Sequence, residues 1–247
     1  MAEGTYNQFC PIAMASEIIG TRWTLLLVRE LLSGSKRFSE LRRGVQRMSP
    51  ALLSKRLKDL EAAGIVTRSK VTGEPKLFEY QLTKAGLELA PVIDCVGAWG
   101  HQWVKTEASL KNLDVNLLMW GIRSEINPDP MPARRTTIQV IFTDLPKARR
   151  NWWLIAKPGE GVDLCAVDPG FDVDLYLSTT LRTLTEVWMG YTPIKRAKEE
   201  GRLTMTGNRQ LEASMKSWFG LNRFAAENAQ LRGLPSDVAL PRKNVRK

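Results

Sequence analysis

The sequence predicts a chain in two parts: a mainly α-helical first part closed by a β-hairpin, and an α+β second part built on one sheet. Three observations carry this. Up to about residue 105 apolar residues recur at spacings of three and four, interrupted by one pair of extended runs around Thr72-Gly73-Glu74-Pro75. From Ile138 onward five short runs alternate apolar with polar residues, and helical stretches fill the gaps. A chain of 247 residues is also long enough to bury two modest cores.

Met1 to Phe9 reads as a flexible lead. Pro11 to Ile19 forms a short helix ended by Gly20, and Thr21 caps a second one, in which Trp23, Leu27 and Leu31 share a face before Gly34 ends it. Phe38 to Arg43 is a short third segment with a turn around Gly44. Ser49 then N-caps a fourth helix, with Pro50 in the first position, where a missing N–H costs nothing. It runs to Ala63, and Gly64 ends it. Leu53, Leu57 and Leu60 make its apolar face, which leaves Ser49, Pro50, Ala51, Ser54, Lys55 and Lys58 outside. Two helices joined by a tight turn, the second basic on its free side, form a helix-turn-helix pattern suited to a DNA major groove. A solvated surface helix has the same periodicity, so charge must decide. From Lys36 to Lys58 eight cations (Lys36, Arg37, Arg42, Arg43, Arg47, Lys55, Arg56 and Lys58) stand against one anion, Glu40. That density is the footprint of a duplex binder.

Ile65 to Val71 and Leu77 to Leu82 form a hairpin directly after the recognition helix, which makes it a wing. Its Arg68, Lys70 and Lys76 reach toward the DNA backbone or the minor groove, and the hairpin also closes the small core. Thr83 to Trp103 is helical, restarted or kinked at Pro91. Ala85, Leu89, Val92, Val96, Trp99 and Trp103 make a seam for another helix, either inside the monomer or in a second copy. The reading of paired half-sites by helix-turn-helix proteins favours the second copy, hence a homodimer.

The net charge of +10 favours a polyanionic partner. There is no apolar run of eighteen residues and no signal peptide, so the expected location is cytoplasmic, without membrane insertion. Cys10, Cys95 and Cys165 do not make a disulfide framework, and the single histidine, His101, is expected on a helix surface. No nucleophile–base pair, metal cluster or phosphate-cradling glycine loop is evident, so no enzyme, cofactor or metal is expected.

Cys10-Pro11, Gly20-Thr21-Arg22-Trp23-Thr24-Leu25-Leu26, Arg29-Glu30-Leu31, Arg37-Phe38, Glu40-Leu41, Ser49-Pro50, Leu53-Ser54, Arg56-Leu57, Leu60-Glu61 and Gly64-Ile65-Val66 together resemble the HxlR-type winged helix-turn-helix regulators. Glu79-Tyr80, Leu82-Thr83, Gly86 and Trp99 continue the likeness, which covers about the first 105 residues. The resemblance implies a dimeric bacterial transcription factor on double-stranded operator DNA, with Ser49, Pro50, Ser54, Lys55 and Lys58 on the reading surface. It also puts Cys10 in the place of a cysteine that some members use as a thiol redox sensor; a small buried cysteine is the alternative.

In the second part, Leu113 to Arg123 reads as a helix and Asn127 to Ala133 as a loop. Five strands follow, with inward faces at Ile138, Val140 and Phe142; Trp153 and Ile155; Leu164 and Ala166; Val173, Leu175 and Leu177; and Leu203 and Met205. Helices are expected at Leu181 to Met189, Pro193 to Glu200 and Asn208 to Phe219, the last with Leu211, Met215 and Trp218 inward. The expected architecture is a five-stranded, largely antiparallel sheet backed by helices. Asp172-Val173-Asp174-Leu175, Leu184, Trp188-Met189-Gly190, Ala197, Gly201-Arg202-Leu203 and Thr206-Gly207-Asn208 resemble sterol-carrier-like domains. That likeness implies an apolar cavity and a hydrophobic small-molecule ligand. Alternation and helix period suggest Phe142, Trp153, Leu175, Leu184, Trp188 and Trp218 for its wall, or simply for a core. The expected division is 1–111 for DNA binding and dimerisation, 112–232 for ligand binding and 233–247 as a basic tail. The expected function is a DNA-binding transcriptional regulator, a repressor, with an apolar-ligand carrier or a thiol sensor as alternatives.

Overall fold

The computed structural model describes residues 5–104 and 110–225, apart from the side chains at 75 and 76. Most of the expected lead is described; the expected basic tail 233–247 lies outside the described residues.

The first unit runs through α1 (Pro11–Ile19), α2 (Thr24–Leu32), α3 (Phe38–Gly44) and α4 (Pro50–Ala62) into a hairpin of β1 (Val66–Val71) and β2 (Glu74–Leu82). Helices α5 (Lys84–Leu87) and α6 (Ala90–Trp103) follow. Local chemistry sets the starts. Ser49 Oγ accepts from the Leu52 amide at 3.3 Å beside Pro50, and Thr83 Oγ accepts from the Gly86 amide at 3.1 Å. Gly34 and Gly64 follow α2 and α4 with φ of +91° and +70°, a conformation that costs a side chain but not glycine. Leu27, Val28, Leu41, Leu53, Leu57 and Leu60 fill one core. Two local expectations fail. Thr21 does not cap α2: the Thr24 amide closes a turn on the Thr21 carbonyl, and Trp23 takes the N-cap position at φ +81°. The hairpin turn is also tighter than expected, because Val71 already pairs with Glu74 and only Thr72-Gly73 is left to turn.

The second unit begins with α7 (Val115–Glu125), whose first amides are capped by Asp114. There follow β3 (Thr136–Phe142), α8 (Lys147–Arg150), β4 (Asn151–Lys157), β5 (Gly161–Cys165) and β6 (Leu175–Thr179). Then come α9 (Leu181–Trp188), α10 (Ile194–Glu199), β7 (Leu203–Gly207), α11 (Arg209–Ala213) and α12 (Met215–Trp218). The strand order is β5-β4-β3-β6-β7, antiparallel throughout except for the parallel pair β3 and β6, so the sheet is mixed. Asp174 fastens that pair. Its carboxylate accepts from the Thr137 amide at 2.8 Å and from Arg134 at 2.6 Å, and its own amide donates to the Thr137 carbonyl. Burial opposes the charge there, but these donors hold the carboxyl below its ordinary range.

Helices cover one face of the sheet. Ile138, Val140, Phe142, Leu175, Leu177 and Leu203 point into the core as expected. Strand β4 is out of phase with the sequence reading: Trp152, Leu154 and Ala156 join the core, which puts Trp153 and Ile155 on the other face. The run Trp152-Trp153-Leu154-Ile155-Ala156 contains no polar residue to mark its outside, so alternation could not fix the phase. The expected helix from Asn208 to Phe219 is broken at Ser214, though Leu211, Met215 and Trp218 all point inward.

The two units are joined by more than the connecting chain. Helix α3 packs on α7. Past α12 the chain returns to α6, where Arg223 pairs with Asp94 at 2.7 Å and Phe224 packs on the first core. Gly97 makes room for it: a Cβ there would lie 2.3 Å from the Phe224 ring.

Candidate nucleic-acid interface

Helices α3 and α4 meet across a turn plugged by Val45 and Met48, both buried. Gly44 must lack a side chain, since a Cβ would lie 2.0 Å from the Glu30 carboxyl group. Glu40, the segment's one anion, serves as the cap of α3: its carboxylate accepts from the Lys36 and Arg37 amides at 2.8 and 3.0 Å. Burial acts to raise its pKa, and the amides together with Arg37 and Arg123 more than offset that, so it is lowered.

On α4 the structure brings together most of the residues expected to read DNA. Ser49, Pro50, Ala51, Lys55 and Lys58 are exposed and Ser54 is half-buried. Leu53, Leu57 and Leu60 are no more than 2% exposed on the opposite side. Arg56 does not belong to the charged face. It is 8% exposed and donates to Asp59 at 2.9 Å, because a residue three after Leu53 and next to Leu57 falls on the inner stripe. On the wing, Arg68 lies 3.6 Å from the centre of the Phe78 ring and Lys70 is exposed. Lys76 is in β2, but its side chain lies outside the described residues. The wing is tied to the helices by the Tyr80 amide on the Lys36 carbonyl (2.8 Å) and by the ion pair of Arg37 with Glu79 (3.6 Å).

Arg42 and Arg43 are placed differently. They line a cleft of about 630 Å³ between α3 and the second unit, with Trp120 and Trp152, and the Arg43 guanidinium stands 5.5 Å from the Trp120 ring centre. The sequence reading missed what lies beneath. Glu30, 5% exposed, accepts from Arg29 at 2.6 Å and from Trp120 Nε1 at 3.0 Å, and Arg123 covers the same indole at 4.1 Å. Burial pulls the Arg123 pKa down, and Glu40, Asp163 and Glu30 push against that. No sequence pattern marks a pair 90 residues apart.

Of the six residues suggested for a ligand cavity, Phe142, Leu175, Leu184 and Trp218 are at most 1% exposed and pack within the second core. Trp153 is on the other face of the sheet, and Trp188 lines a cleft between the units. Cys10 is the half-buried N-cap residue of α1 and a free thiol. His101 is not a plain surface residue: it stacks on Tyr191 with ring centres 5.2 Å apart, and burial pushes its pKa down. Among the described residues no helix is long and apolar enough to cross a membrane.

The family of HxlR-like helix-turn-helix proteins matches residues 18–108. Over 99 residues the chain is 38% identical to the uncharacterized HTH-type transcriptional regulator YvaP of Bacillus subtilis (strain 168), covering 40% of this chain and 92% of that protein. Over 109 residues it is 34% identical to YdeP, an uncharacterized HTH-type transcriptional regulator of the same strain, covering 42% of this chain and 85% of the relative. A solved structure of the redox regulator HypR in its reduced form is 32% identical, covers 40% of this chain and 98% of that one, and superposes with a TM-score of 0.37.

Proposed function

This chain belongs to the HxlR-like helix-turn-helix family, and on that premise we propose that it is a repressor that grips operator DNA as a homodimer and answers to a small molecule through its second unit. The observation that carries the DNA reading is the charge layout of α4. Its exposed first turns offer Ser49, Pro50, Ala51, Ser54, Lys55 and Lys58, while Asp59 and Glu61 come later and Asp59 is paired with Arg56. A helix entering a major groove by its N-terminal end puts the cations where the phosphates are. Arg68, Lys70 and Lys76 of the wing and Arg37 contribute backbone contacts. Arg42 and Arg43 are split between that role and the cleft they line.

Dimerisation is supported by the exposed seam on α6. Val92, Val96, Trp99 and Trp103 are 37–55% exposed, and α1 adds Ile12, Met14 and Ile18. An apolar surface of that extent is a partner site rather than ordinary surface. We take residues 1–111 as the DNA-binding and dimerising part, 112–232 as the effector part and 233–247 as a basic tail. The sterol-carrier-like reading of the second unit belongs to the same proposal, with its sheet and helices as the scaffold of a sensor. A thiol-sensing role for Cys10 is a second reading, favoured by its place next to the exposed face of α1.

Selection from random duplexes tests the main proposal. It should return a pseudo-palindromic site. With six to ten phosphate contacts, roughly, affinity for that site should fall about a thousandfold or more between 50 and 200 mM salt. Lys55→Ala and Lys58→Ala should each weaken binding. Wild-type affinity in both variants would show that α4 is not the reading helix.

A further inference from the structure

A cleft of about 340 Å³ lies where α6 meets α7 and the segment following α9. Three glycines keep backbone bare along it: Gly97 and Gly100 on α6, and Gly121 on α7. Its walls are rings. Trp188 packs on Gly121 so closely that a Cβ there would lie 2.6 Å from the indole, and His101 stacks on Tyr191 at an interplanar angle of 12°. Of the charged residues along the cleft, Arg29 pairs with Glu30, Glu125 has a partner of its own, and Arg223 is neutralised by Asp94 through one terminal nitrogen, although its Nε is buried and makes no hydrogen bond.

Two neutral groups are not engaged. His101 Nδ1 and Trp188 Nε1 are both buried and make no hydrogen bond. Leaving a buried donor or acceptor unmade is costly, and native proteins seldom do so without a reason. Two such nitrogens in the walls of one cleft point to a ligand that supplies the missing partners once the rings turn slightly toward it. Burial also pushes the His101 pKa down, so at neutral pH its ring is uncharged and keeps one accepting nitrogen.

We propose that this cleft between the two units binds a neutral, planar aromatic molecule bearing a hydroxyl group, whose oxygen accepts from Trp188 Nε1 and whose proton is donated to His101 Nδ1. The size favours a fused ring over a long acyl chain, since ligand pockets span about 300–1,000 Å³ and this one is at the small end. The proposal rests on the regulator reading above and moves the sensing site from the interior of the second unit to its junction with the first. The position suits a switch. The opposite side of α6 carries Val96 and Trp99 of the dimer seam, and Glu30, which also lines the cleft, abuts Gly44 in the helix-turn-helix. A ligand that favours one arrangement of α6 shifts the dimer only by its differential affinity for the two states.

The test uses the full-length protein and 2-naphthol as the probe, with binding read by calorimetry and operator affinity read separately. A Cβ on Gly100 meets nothing within 4 Å, so Gly100→Leu should fold, fill the cleft and abolish uptake. Trp188→Phe keeps a ring but removes the N–H, and should weaken uptake roughly tenfold. No uptake by the wild type, unchanged uptake by a folded Gly100→Leu, or equal affinity for 1-dodecanol would overturn the proposal. Uptake as described by a protein that binds no DNA would leave the site standing and sink the regulator reading instead.

Discussion

The two units treat their apolar surface in opposite ways. Of the fifteen large apolar side chains exposed among the described residues, twelve belong to the first unit, on the lead, α1, the head of α2, and α5 to the end of α6. Three, Leu117, Val167 and Tyr176, belong to the second. The second unit has a sheet to fold its helices against, and that closes a core large enough for its own strands and helices. The first has short helices and a two-stranded wing, too little to cover both sides of α6. Ile93 on one side of that helix is 5% exposed, and Trp99, about 120° round the helix from it, is 55% exposed. The second unit keeps its apolar residues inside, and the first leaves an apolar surface that the proposed second copy would cover.

The largest expected effect breaks that contrast at its weak point. Val96→Asp costs little in a monomer, where the side chain is half in water, but buries an unpaired charge in a dimer. Sedimentation should show folded monomers, and operator affinity should drop toward the non-specific level, about 10³-fold or more. A folded variant that stays dimeric would place the interface elsewhere. Next, Leu57→Ala and Leu177→Ala each remove a fully packed leucine and should cost about 2–5 kcal/mol in denaturant titrations. If the first unit leans on a partner, raising the protein concentration should recover part of the Leu57→Ala loss and none of the Leu177→Ala loss. Equal behaviour of the two would remove the contrast.

The junction sets the limit of the contrast, because neither unit is independent of the other there. Trp120→Phe deprives the buried Glu30 carboxylate of its indole donor and should destabilise by about 1–3 kcal/mol, read as a lower denaturation midpoint. An unchanged midpoint would mean that the Glu30–Trp120 hydrogen bond adds nothing to the stability of the junction. The smallest effect is expected at Gly97→Ala. Crowding of the Phe224 ring outweighs the better helix propensity of alanine, for a net loss of about 1 kcal/mol. In a Phe224→Ala background the same change should turn stabilising. A loss in both backgrounds would show that Phe224 is not what Gly97 accommodates.

Helix α4 was legible because its signals are local: Ser49 and Pro50 at its head, leucines at helical spacing, Gly64 at its end. Backbone hydrogen bonds and caps act within four residues, so a short window of sequence contains them. The exposed seam of α6 was legible as a pattern, though the pattern left open whether the monomer or a second copy covers it. Strand β4 was not legible, since five apolar residues in a row carry no period. Arg56 belongs to the segment's count of cations, yet its spacing from Leu53 and Leu57 already puts it on the inner stripe, where it is 8% exposed.

What the sequence by itself determined is therefore most of the longer helices and strands and the helix-turn-helix pattern with its basic face, because propensity, capping and periodicity are short-range. The four-residue helix α8 and the break at Ser214 escaped it. Tertiary structure decided which strand residues turn inward, that Arg42 and Arg43 look into a cleft, and that His101, Trp188 and three glycines share another. It also decided that a buried glutamate on α2 meets a tryptophan on α7. Those facts depend on how two cores pack against each other, and packing joins residues that no spacing along the chain relates.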